Sequence, residues 1–213
     1  MAVGLAVLLP GGEPPKPPEH LPWQIQVLPD GSSRVFGIHL GKTTLGEMER
    51  QWQEEAEISL FATDAGERTV EGFFDSVTLD GLKAKVVAVL DFDPAALEGI
   101  FDRGARIASL AQGQRKVSLS GEDLELARRT PVVAITYLPY IDLDEALVEG
   151  RFGKPERRIA EPGGKVVHWL YPDKGLDIVM SQEAKEVLQY VPPAQFARRL
   201  LAPLQRFEAS SGQ

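Results

Sequence analysis

The stretch KVVHWLYPDKGLDIVM, residues 165–180, constrains the fold more than any other part of the chain. Two apolar runs flank Pro-Asp-Lys-Gly, in which Pro172 fixes φ and Gly175 supplies a left-handed position, so the chain must reverse there. Alternation along the first run sends Val167, Trp169 and Tyr171 to one face and Val166, His168 and Leu170 to the other. The second run returns Leu176, Ile178 and Met180 together. Both faces are partly apolar, which predicts a hairpin lying between a helix layer and some further cover. Trp169 is expected in the core, and Asp173–Lys174 in a turn rather than in an acid–base pair.

Similar punctuation recurs along the chain. WQIQVLPDGSSRVFGIHL reads as strand, turn and strand around Asp30–Gly31. The period then changes: Leu45, Met48, Trp52 and Ala56 define one face of a helix, opened by a Thr44/Glu47 capping box. ISLFA, TVEGFF and KAKVVAVLDF predict strands, and DPAALEGIFDRG a helix capped by Asp93. KVSLSGEDLELARRTPVVAITYL predicts a short strand, a helical turn capped by Ser120 and a further strand. A second capped helix follows, with Asp142 and Glu145 as the capping pair and Gly153 and Pro155 ending it. ERRIAE, KVVHWLYP, LDIVM and EVLQYV then read as strands, and PPAQFARRLLAPLQRF as a closing amphipathic helix broken at Pro203.

IHLGKTTLGEME and TYLPYIDLDEAL match at Leu40 with Leu138, Leu45 with Leu143 and Glu47 with Glu145. Together with the shared order of elements, this predicts an internal duplication. The expected fold class is α+β, a two-layer α/β sandwich of two tandem helix-plus-antiparallel-sheet units. The expected divisions are an apolar N-terminus and Pro-rich stem over 1–22, a first unit over 23–112 and a second over 113–213.

The apolar run MAVGLAVLLP precedes a segment carrying five of the 16 prolines. A stem behind a membrane anchor looks like this. The run is nonetheless shorter than the roughly 20 apolar residues of a spanning helix and lacks a basic n-region. A longer hydrophobic segment cut at Met1 and an apolar terminus docked on the core both fit. Hydrophobic and charged contents of 43% and 25% exclude wholesale disorder. A formal charge of −8, with no basic run longer than a doublet such as Arg128–Arg129, argues against nucleic acid as a partner. With no cysteine there is no disulfide, thiol nucleophile or lipidated Cys.

RFGKP at 151–155 and HWLYP at 168–172, with the looser GIHLGKTTLGEME, resemble the BamE-like (SmpA/OmlA-type) outer-membrane assembly lipoproteins. In that family a Gly- and Leu-containing stretch enters a capped helix ending in Gly-x-Pro, followed by a three-stranded antiparallel sheet with a buried Trp–Tyr pair. The resemblance touches about half of the chain, and this sequence lacks the lipid-bearing Cys. It implies a non-enzymatic cell-envelope protein on the periplasmic side of the inner membrane. Such a protein acts through other envelope proteins and meets the membrane only through its N-terminal segment; its oligomeric state is left open. The alternatives are an extracytoplasmic hydrolase with a cleft between the two units and a module binding a small ligand or cell-wall fragment.

Motifs that could carry chemistry are sparse. GIHLGKTT has only three residues between Gly37 and Gly41, one short of a phosphate-binding loop. His20, His39 and His168 are isolated in sequence, without a second ligand at helical spacing. No Gly-x-Ser-x-Gly elbow occurs. No catalytic residue, cofactor or metal ligand is therefore predicted. A partner surface is expected where a turn and a helix end surround Trp169, at Arg151, His168, Asp173 and Lys174.

Overall fold

The computed structural model describes residues 18–110 and 113–205. Strands β1 (Gln26–Val27), β2 (Ser33–Val35) and β3 (Ile38–His39) form a small sheet. Helix α1 (Leu45–Trp52) leads into the meander β4 (Glu57–Ala62), β5 (Arg68–Leu79) and β6 (Leu82–Leu90). Helix α2 (Pro94–Asp102), the hairpin β7 (Arg106–Ser109) and β8 (Arg115–Ser118), and α3 (Gly121–Arg129) follow. Strand β9 (Val132–Pro139) and helix α4 (Glu145–Phe152) precede the last meander: β10 (Arg157–Ala160), β11 (Val166–Tyr171), β12 (Leu176–Ser181) and β13 (Val187–Tyr190).

The large sheet corrects the expected fold class. Two tandem helix-plus-sheet units do not form; ten strands make one antiparallel sheet in the order β10-β11-β12-β13-β9-β6-β5-β4-β8-β7. The weld is β9, which pairs with β6 from Ala84↔Pro139 to Leu90↔Val132 and with β13 from Leu188↔Tyr137 to Tyr190↔Ile135. A strand with its donors and acceptors satisfied on both sides leaves no edge at which the two meanders could part. The expected division between residues 112 and 113 falls inside the β7–β8 hairpin.

One face of this sheet holds the main core. Val70, Phe74, Val86, Ile135, Tyr137, Trp169, Ile178 and Tyr190 are buried there with Leu45 and Met48 of α1, Ile100 of α2 and Val148 and Phe152 of α4. Phe36 enters the same core from the β2–β3 turn. Phe36 and Gly37 both have positive φ (54° and 79°), the pattern of a type I′ hairpin turn. The left-handed backbone costs a bulky residue about 1–3 kcal/mol. Complete burial of the ring offsets it: Phe36 stacks on Tyr137 at 4.9 Å and meets Tyr190 edge-on at 5.3 Å.

The opposite face is covered in part by the C-terminal segment, where Phe196 and Leu204 pack with Ile159, Leu170 and Val191. This segment has one turn of 3₁₀-helix over Pro193–Gln195, π-helical geometry over Ala197–Leu201 and helical residues at 202–205. The expected break at Pro203 is absent, since that residue lies inside the helical run. The expected cap of α4 also moves. Asp144 accepts from Leu147 N at 2.7 Å, whereas Asp142 binds Lys185. The apolar run and most of the Pro-rich stem lie outside the described residues. No described helix is long and apolar enough to cross a membrane.

Candidate functional site

The last two strands of the sheet, β8 and β7, depend on a close approach at Gly104. A Cβ at Gly104 would come within 2.2 Å of Val117 Cγ1, so only glycine lets the chain leave α2 and enter β7 against β8. Strand β7 pairs with β8 from Arg106↔Ser118 to Ser109↔Arg115. Its other side has no partner among the described residues. Leu110 N–H donates to Gln114 O at 2.7 Å, which sets the alternation of the ladder. Arg106 and Ala108 therefore turn their backbone groups toward β8, and Ile107 and Ser109 turn theirs outward. All four β7 residues are exposed, Ile107 at 53% although its cross-strand partner Val117 is fully buried.

Pairing through β4 gathers two distant arginines beside this edge. Arg68 of β5 lies opposite Ala62, Ala62 opposite Arg115 of β8, and Arg115 opposite Ser109 of β7. Above that row sits Phe101 of α2, with the Arg68 Cζ 4.8 Å and the Arg115 Cζ 5.4 Å from its ring centroid. Each contact is worth about 0.5–1 kcal/mol where exposed and more when desolvated. Neither guanidinium belongs to an ion pair among the described residues, and both Nε atoms are buried without an acceptor. Nearby cations are matched: Lys116 binds Glu57 at 2.6 Å, and Arg103 binds Asp123 at 2.6 Å. The Arg103 guanidinium, with help from Ser120, holds the Asp123 carboxyl below its ordinary value despite burial.

A second cluster lies on the face carrying the C-terminal segment. His168 pairs with Val179 across the β11–β12 hairpin, which brings the side chain of Asp177 diagonally alongside. His168 Nδ1 lies 2.7 Å from Asp177 Oδ2, and Nε2 lies 3.1 Å from Glu161 Oε1. Asp177 is 1% exposed, and its Oδ1 is buried without a partner. Burial acts to lower the imidazole pKa, but hydrogen bonds and charge from Asp177 and Glu161 outweigh it, so His168 stays protonated above its usual range. Burial pushes Asp177 up, against the pull of His168. An imidazolium that donates from both nitrogens has no lone pair for a substrate proton. The two carboxylates engage different ring nitrogens and do not converge. No group of three or more His, Asp or Glu among the described residues is placed to hold a metal ion.

Ser32 Oγ lies 2.8 Å from His39 Nε2, a distance that suits nucleophile and base. It also lies 2.5 Å from Asp30 Oδ1, to which it gives its single hydrogen, and the Ser32 amide bonds the same oxygen. These bonds hold the Asp30 carboxyl below its ordinary value. The hydroxyl is thus committed to an Asx turn, with His39 donating to it.

Of the residues predicted for a partner surface, Arg151 and Lys174 are joined through a run of rings, Trp23, Phe152 and Tyr171, while His168 lies on the other face of the sheet. Arg151 is exposed at the end of α4, with its guanidinium 4.6 Å above the Trp23 ring. Asp173 and Lys174 pair at 3.2 Å in the β11–β12 turn, where Gly175 adopts φ 65° and a Cβ would strike Val191 O. His168 is 6% exposed and points to the opposite face from Trp169. Sequence reasoning missed Ile107, Arg68, Arg115 and Asp177. One signal was available for Ile107 and Arg115: no acidic residue lies between Asp102 and Glu122, a span with Arg103, Arg106, Arg115 and Lys116 in a chain of charge −8. No family model, curated protein or solved structure matches the chain.

Proposed function

We propose that this protein acts through contacts with other proteins rather than by catalysis, and that β7 is where an extended partner segment adds a further strand. The observation carrying this reading is the open edge: β7 is exposed along its whole length, with Ile107 uncovered and the backbone groups of Ile107 and Ser109 turned outward. Unpaired strand edges bind extended chains through main-chain hydrogen bonds, and side chains on alternate positions set the choice of partner. The two histidine clusters support the non-catalytic half of the reading, since one lacks a free base and the other a free hydroxyl hydrogen. The envelope setting rests on the RFGKP and HWLYP resemblance alone, and the edge reading does not depend on it.

The test places a photocrosslinking residue at Ile107 and, as control, at Ile141, which is also solvent-exposed. Defined protein adducts at position 107, lost when Ser109→Pro removes one outward N–H, are the expected result. Equal adducts at both positions, or adducts indifferent to Ser109→Pro, would overturn the proposal.

A further inference from the structure

We infer that the strand accepted at β7 is an acidic one, and that Arg115 reads its carboxylate while Arg68, across the Phe101 ring, adds positive charge behind it; this rests on the edge reading above. An added strand would place one residue beside Ser109, in line with Arg115, Ala62 and Arg68. Neighbouring strands lie about 4.8 Å apart, so that residue's Cα would stand roughly 10 Å from the Cα of Arg115. A glutamate reaching inward and an arginine reaching outward span that distance, and the small Ser109 between them leaves the path open. To make that contact the Arg115 guanidinium swings off the Phe101 ring, 5.4 Å away, and its planar donors suit a carboxylate. The structure also supplies the unmet demand, because among the described residues neither arginine forms an ion pair and both Nε atoms lack an acceptor, while the neighbouring Lys116 and Arg103 are paired.

Arg106 extends the pattern on the other face of β7. It is exposed and forms no ion pair among the described residues, so an acidic residue opposite it would be favoured as well. The same charges argue against a second copy of this chain as the occupant. Edge-to-edge pairing of two β7 strands would bring Arg106 and Arg115 of each copy together, and like charges at that range repel.

The experiment titrates the whole protein with three blocked, fluorescently labelled eight-residue peptides alternating threonine with glutamate, glutamine or lysine. The glutamate peptide is expected to bind at least about tenfold more tightly than the glutamine one and to weaken as salt is raised. Arg115→Gln should remove most of that preference and Arg68→Gln, which acts only through its charge, a smaller part, while Arg115→Lys should retain some of it. Ser109→Pro should abolish binding of all three peptides, with thermal unfolding confirming that each variant is folded. Equal binding of the glutamate and glutamine peptides, still lost in Ser109→Pro, would overturn the acidic specificity and leave the edge reading standing. Glutamate binding that survives Ser109→Pro, or is displaced by inorganic phosphate at equal charge, would make the arginines a site for free anions and overturn the strand. Self-association that Ser109→Pro abolishes would assign the edge to a second copy. Failure of every peptide to bind would overturn both readings.

Discussion

The ten-stranded sheet ends in two four-residue edge strands, and the two ends are finished differently. At one end β10 buries Ile159 and lays the exposed Arg158 over a core ring. Arg158 lies 3.7 Å above the Trp169 ring and forms ion pairs with Glu145 and Glu149 of α4, while Ile159 is buried on the other face beside Phe196 and Leu204. At the other end every β7 residue is exposed, and Arg68 and Arg115 beside it form no ion pair among the described residues. Each is the last strand of the sheet among the described residues. The difference teaches that side-chain cover, more than hydrogen-bonding capacity, decides whether an edge is guarded or open.

The largest expected effect tests the guarded end. Trp169→Ala removes a buried ring beneath Arg158 and should cost about 3–5 kcal/mol in chemical denaturation. A variant as stable as the parent would mean that the β10 end is not held by packing. Next comes pH. His168 has a raised pKa in the folded protein, so its contribution is complete below the ordinary histidine value of 6.5 and is lost as pH rises through the raised one. The raised Asp177 has the same sign at lower pH, since the folded state again binds the extra proton. Melting temperature should therefore fall from mildly acidic to alkaline pH, and His168→Gln should flatten the histidine part of that slope. A wild-type profile that rises over the same range would contradict the assignment.

Arg158→Ala should cost only about 1 kcal/mol, because its ion pairs are half-exposed and its stacking contact is modest. The sharper readout is whether the variant now self-associates through an uncovered β10 edge. Ile107→Ala should change stability by no more than about 0.5 kcal/mol, as for any exposed position. A loss comparable with that of Trp169→Ala would show that β7 is packed in solution and would erase the contrast between the two ends.

Local chemistry was legible wherever neighbours in sequence sufficed. Thr44 and Glu47 form the expected reciprocal cap, Asp93 caps α2, and Gly175 turns the β11–β12 hairpin with positive φ. The α4 cap slipped from Asp142 to Asp144 because the two acids are equally good oxygen acceptors two residues apart, and Lys185, far along the chain, engages the first. The single sheet was not legible, since it depends on β6 meeting β9 across more than forty residues of intervening chain. Strand β7 escaped notice for a different reason. Exposed on both faces, it shows no alternation between apolar and polar residues. The Arg68–Arg115 row was hidden because β4 brings the two together only once both ladders form. Asp177 was assignable to a face, but its contact with His168 required the register that the turn imposes.

The open edge is tested most directly by hydrogen exchange at the individual amides of Ile107 and Ser109, followed by NMR in the free protein and with the threonine–glutamate peptide. The expected result is exchange at the rate of solvent-exposed amides in the free protein, and protection of these two amides once the peptide is bound. Protection already present in the free protein, or continued rapid exchange of both amides with the peptide bound, would contradict an open edge that pairs with an incoming strand.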